Sequence, residues 1–198
     1  MKRTTRTPIP IRRLVAAVTT TIVAAAMLLT ASPTAQAGPS WPSDMDCGGV
    51  YIIHTNSGML LDFDQNRWEP LHGRVIQMPW NDWDDEKWTM CRTRPVFGGP
   101  IDDFEYTFVT RWAGGPWCMG VTGGAAYEGA MLKVEDCNNL ASQRFKLFFS
   151  DGPMAHPRPF VMQVQHTKMF VSIPSFSVVG AVTEQHRYTA DMFWLEQV

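Results

Sequence analysis

After residue 37 the apolar positions fall in short runs. They read "VYIIH" at 50–54, "YTFVT" at 106–110, "MLKVE" at 131–135, "KLFF" at 146–149, "FVMQVQ" at 160–165 and "MFVSI" at 169–173. Gly, Pro, Asn and Asp punctuate them, as in "NSG", "GGP", "AGGP", "TGG" and "SDGP". β-branched and aromatic runs between frequent turn signals predict many short strands, hence an all-β sandwich or barrel. Breakers this close together exclude a helical bundle.

The runs also repeat. One pattern occurs three times: a leading strand, a short motif, a glycine opening another strand, and a closing aromatic. The copies are "VYII"/"MLLDF"/"GRVIQMPW"/"DEKW", "YTFV"/"WCMGV"/"GAMLKVEDC"/"SQRF" and "FVMQV"/"MFVSI"/"GAVTEQ"/"DMFW". The glycines are Gly73, Gly129 and Gly180; the closing aromatics are Trp88, Phe145 and Trp194, each read as core. One copy is too small to bury a core, so three must close together in a threefold barrel. These residues resemble the ricin B-type lectin family, whose repeats read C-L-D-V, G-x-x-V-Q-L-W-x-C and N-Q-x-W. The resemblance covers residues 47–198 and implies a β-trefoil of three divergent repeats, about 47–93, 104–149 and 159–198, after a short segment at 38–46.

The start of the chain differs in kind. Lys2, Arg3, Arg6, Arg12 and Arg13 precede an uncharged apolar run from Leu14 to Ala31, and Ala35 and Ala37 form an A-x-A site. This predicts a signal peptide over 1–37, cleaved after Ala37, and a secreted, extracellular product without membrane insertion; a membrane anchor is the alternative. Residues 38–198 then carry 12 Lys and Arg against 19 Asp and Glu, a net charge of −7. That balance argues against nucleic acid and against an anionic membrane surface. Cys47, Cys91, Cys118 and Cys137 all lie in this part. An even count in a secreted chain suggests two disulfides, in any of three pairings; a zinc site is the rival. The family pattern implies Cys118 with Cys137 inside the second repeat, and Cys47 with Cys91 bracketing the first.

A sugar site needs an aromatic face and fixed hydrogen-bonding groups. The resemblance implies a set in each repeat, and the first keeps most of it: Asp62 at the acid position, Gln77 at the amide position, Trp80 beside the aromatic position and Asp85 at the Asn position. Trp83 is a second ring. Each has a plainer reading: a turn cap for Asp62, a solvated strand residue for Gln77, ordinary packing for the tryptophans. The second repeat has Gly120, Lys133, Glu135 and Ser142 at these positions, and the third Ser172, Glu184, His186 and Asp191. One weak site is therefore expected. The acid run at 82–86 lacks the spacing of a calcium loop, so no metal or cofactor is expected. No G-x-S-x-G or H-E-x-x-H occurs, so no enzyme is expected, although a pair of glycosidase carboxylates is not identifiable from sequence. The functional expectation is a carbohydrate-binding module. The alternative is a protein-interaction trefoil independent of sugar, such as a receptor-binding subunit or an inhibitor with an unknown protein partner; the insertions at 94–105 and 151–159 motivate it.

Overall fold

The computed structural model describes residues 45–64, 73–93, 104–110, 112, 115–150, 158–175 and 177–198, all within the compact unit Ala37–Val198. The expected signal peptide at 1–37 and most of the two insertions lie outside the described residues. Among the described residues no helix is long and apolar enough to cross a membrane.

Among the described residues, twelve strands come in three sets of four. The first set is β1 (Met45–Thr55), β2 (Leu60–Phe63), β3 (Val75–Met78) and β4 (Lys87–Thr93). The second is β5 (Glu105–Thr110), β6 (Trp117–Val121), β7 (Ala130–Asp136) and β8 (Phe145–Phe149). The third is β9 (Phe160–Val164), β10 (Phe170–Ser172), β11 (Glu184–His186) and β12 (Phe193–Gln197). The outer strands of the sets pair antiparallel in a closed ring, β1–β4–β5–β8–β9–β12 and back to β1. Closure removes the open edges that would recruit another chain.

The inner strands make three hairpins, β2–β3, β6–β7 and β10–β11, over one end of the ring. Their second strands bond to one another around the pseudo-threefold axis. Val134 N donates to Gly73 O at 2.9 Å, Thr183 N to Val75 O at 2.9 Å and Leu132 N to Thr183 O at 2.8 Å. The fold is thus an all-β trefoil. One core lies between ring and cap and draws on every repeat: Ile53, Phe63 and Trp88; Phe108, Leu132 and Phe145; Met162, Val171 and Phe193. Trp88 is fully buried, and its indole N–H is satisfied by Leu61 O at 2.9 Å. Disulfides join Cys47 to Cys91 and Cys118 to Cys137. In the chain-entropy model, closing loops of 44 and 19 residues stabilises by about 4 and about 3 kcal/mol.

Two details of the repeat frame change. The closing aromatic of the third repeat is Phe193, fully buried against Phe160 at 6.2 Å between ring centroids. Trp194 faces outward and stacks on His54 at 5.4 Å. Side chains alternate across a strand, so a shift of one residue exchanges core for surface. The glycine frame shifts as well. Gly129 and Gly180 turn with φ of 80° and 76°, whereas Gly73 has no positive φ and lies one position later in its hairpin.

Candidate functional site

The stretch between β3 and β4 is held by its own polar side chains. Asn81 Oδ1 accepts from Trp83 N at 2.9 Å, and the Glu86 carboxylate accepts from Asn81 N at 2.9 Å and Asp82 N at 3.0 Å. Asp82 takes a left-handed conformation, φ 60°, and one turn of 3-10 helix follows at Asp84–Glu86. The second repeat builds the same loop 57 residues later. There Asn138 Oδ1 accepts from Leu140 N, Gln143 Oε1 accepts from Asn138 N, Asn139 has φ 55° and the helical turn is Ala141–Gln143. The loop shape therefore belongs to the fold. What differs is what it displays: Trp83, 59% exposed, where the second repeat has Leu140.

Asp62 and Asp85 meet beneath this loop. They are only 3% and 1% exposed and hydrogen bond to each other. Asp62 Oδ1 also accepts from Phe63 N at 2.5 Å. Burial, then the neighbouring Asp85 charge, pushes the Asp62 carboxyl up to about 8. Burial also raises Asp85, so the pair holds a proton at neutral pH. Burial raises Glu86 too, against the two N–H groups it accepts. In the second repeat there is no room for such an acid: a Cβ on Gly120 would lie 2.8 Å from Gln143 Cγ.

Gln77 does not join the acids, which corrects the expected set. Strand pairing puts Lys133 opposite Gly120, Glu184 opposite Ser172, and Ile76 opposite Asp62. The amide position of the first repeat is thus Ile76, and Gln77 points the other way, into the cap. It is fully buried. Its amide N–H groups donate to Ser175 O at 3.1 Å and Val178 O at 2.9 Å, and its Oε1 accepts from Ser57 at 2.9 Å and Thr55 at 3.3 Å. Gln185 does the same work in the third repeat, donating to Ala125 O and Tyr127 O and accepting from Thr167. Taking Gly73 as the equivalent of Gly129 and Gly180 produced the misplacement. Trp80 is on the surface, 52% exposed, two residues beyond the end of β3.

The open hollow here is formed by residues on either side of the expected ones. Trp83 and Trp112 flank a cleft of about 400 Å³, edged by Asp82 and Asp84. Trp112, between β5 and β6, is fixed by an edge-to-face contact with Phe63 at 5.1 Å and by Trp117, whose indole N–H donates to Trp112 O at 3.2 Å. Lys87 Nζ lies 3.3 Å from a carboxylate oxygen of both Asp82 and Asp84. Sequence reading missed Trp112 because it lies in another repeat and matches no position of the pattern. Among the described residues, no three His, Cys, Asp or Glu side chains converge as a metal site.

No family model and no curated protein matches the chain. Solved structures do match. The chain is similar to the designed 3-fold symmetric protein ThreeFoil at 17% identity and a TM-score of 0.60, over 76% of this chain and 100% of that one. It is similar to the Polyporus squamosus lectin, described bound to the epitope Neu5Aca2-6Galb1-4GlcNAc, at 18% identity and a TM-score of 0.56, over 77% of this chain and 50% of that one. It is similar to the Rhizoctonia solani agglutinin at 10% identity and a TM-score of 0.54, over 80% of this chain and 96% of that one. At these identities the likeness is one of fold.

Proposed function

We propose that this is a secreted, non-catalytic carbohydrate-binding module whose sugar rests in the cleft between Trp83 and Trp112. The carrying observation is that the exposed Trp83 and a second tryptophan, Trp112, line one open hollow edged by two carboxylates. The apolar face of a pyranose stacks on an indole, and vicinal hydroxyls donate to Asp82 and Asp84. Trp80, on the same loop, extends the aromatic surface. Asp62 and Asp85, closed to solvent, hold the loop from below. A trefoil shared with two proteins named as lectin and agglutinin supports the class of ligand. The test is a glycan array followed by calorimetry with the purified protein. Trp83→Ala and Trp112→Ala are each expected to lower affinity for the selected glycan about tenfold, from lost stacking and apolar contact. Absence of binding at millimolar glycan, or unchanged binding in both variants, sinks the proposal.

One observation favours the sugar-independent interaction trefoil: Asp62 and Asp85 are buried and Gln77 is saturated by internal bonds. That reading predicts a protein partner whose retention is indifferent to free sugar.

A further inference from the structure

A second hollow lies on the outer wall of the barrel, in none of the three hairpins. Strand pairing aligns Glu105 of β5 with Lys146 of β8, Lys146 with Gln163 of β9, and Gln163 with Phe170 of β10. Over this row sits a half-enclosed cavity of about 290 Å³, lined by Glu105, Lys146, Phe148, Gln163, Gln165 and Lys168. Its charge runs against the rest of the molecule. Residues 38–198 carry 19 acids against 12 bases, yet here Lys146 and Lys168 line the cavity with one acid, Glu105, which Arg144 already pairs. Both oxygens of that acid are engaged, Oε2 by Arg144 at 2.7 Å and Oε1 by Gln165. The balance of charge is positive, and a half-exposed aromatic wall, Phe148 against Phe170 at 6.4 Å, stands beside it.

The backbone supplies an independent observation. Lys168 has φ 58°, a left-handed conformation that disfavours any side chain. The corresponding turn of the first repeat puts Gly58 there, φ 79°. The match is set by the next residue: Met59 N donates to Ser57 Oγ at 3.3 Å, and Met169 N to Thr167 Oγ1 at 3.3 Å. The third repeat thus keeps a lysine where its own fold accepts glycine. Strain retained in this way points to a use for the side chain. Lys168 Nζ reaches Gln165 Oε1 at the cavity.

We infer that this hollow is a second ligand site, for a saccharide carrying a carboxylate, a uronate. The carboxylate pairs with Lys146 and Lys168, hydroxyls bond Gln163 and the Glu105 edge, and the apolar ring face lies on Phe148. The volume suits about one monosaccharide unit. The site is separate from the Trp83–Trp112 cleft and stands or falls without it.

The test is calorimetric titration of the purified protein with trigalacturonate, with its neutral methyl ester and with sodium sulfate. Trigalacturonate is expected to bind, more weakly as salt rises, with the ester at least tenfold weaker. Lys146→Ala and Lys168→Gly are each expected to lower affinity tenfold or more, while Tyr188→Ala, at an exposed position outside both sites, leaves it unchanged. Lys168→Gly is also expected to melt no lower than the parent, since it relieves the strained turn. No trigalacturonate binding at millimolar concentration, equal binding of the ester, equally tight sulfate, or full affinity in Lys168→Gly overturns the inference.

Discussion

Replacing Asp62 by Asn is expected to make the protein more stable at pH 8 and to do so by a much smaller margin at pH 5. The Asp62 carboxyl has an ordinary value of 3.8 when free and is pushed to about 8 in the fold, chiefly by burial and then by Asp85. A raised acid contributes stability that is fully present below its unfolded value and disappears as pH climbs through its folded value. Between pH 5 and 8 the folded pair keeps a proton that the unfolded chain has released. Stability therefore declines by up to about 1.4 kcal/mol per pH unit, about 4 kcal/mol over the interval. The amide introduced by Asp62→Asn would keep the shape and donate permanently to Asp85, so that slope disappears. For a domain of this size the difference at pH 8 is on the order of 10 °C in melting temperature. The assay is thermal or urea unfolding of parent and variant at half-unit steps from pH 5 to 8.5. Glu86→Gln, run in parallel, separates the remaining slope from the other raised acid in the loop. A parent whose midpoint is flat or rises across this interval, or a variant with the parent's slope, refutes the shared-proton account.

Gln77→Ala is expected to lose about 2–4 kcal/mol in urea unfolding, because Ser175 O, Val178 O and the Thr55 and Ser57 hydroxyls lose a buried partner; glycan affinity in the Trp83–Trp112 cleft should stay at the parent value. Phe193→Ala is expected to destabilise by about 3–5 kcal/mol and Trp194→Ala by about 1 kcal/mol or less, since the first empties the core and the second removes one ring from the surface pair with His54.

The strands were legible because each is short, apolar and ended by turn residues. All six of the apolar runs fall on strands, in β1, β5, β7, β8, β9 and β10. The repeat was legible for the same reason: three hairpins must each present an inward face to one core. A strand's exact phase was less legible. "GRVIQMPW" offers a glycine at the place of Ala130 and Ala181, one beyond that of Gly129 and Gly180, and "DMFW" offers two adjacent aromatics. In each case either phase satisfies the alternation, and only pairing across the barrel selects one. Asp62 and Asp85 are positions of one repeat in the pattern, and their carboxyls meet in the fold. Trp112 was invisible, because nothing in its own repeat records that a tryptophan 29 residues away in sequence, Trp83, will line the same hollow.

The three repeats use one loop and one hairpin geometry to different ends, and the differences locate the chemistry. The Asn81–Glu86 and Asn138–Gln143 loops share their hydrogen bonds and left-handed residue, so Trp83 in place of Leu140 adds nothing to the loop's own stability. The Ser57–Met59 and Thr167–Met169 turns share theirs, yet Lys168 replaces Gly58 against the local conformational preference. Gln77 and Gln185 show the opposite case: the same residue, in the same bonds, with no exposure to offer a ligand. Within a threefold fold the repeats act as one another's controls. What they share is required by closure of the barrel, and what one repeat alone displays, at no gain or at a loss to the fold, is where binding is to be sought. By that criterion the first repeat points to Trp83 and the third to Lys168, on different faces and for different ligands.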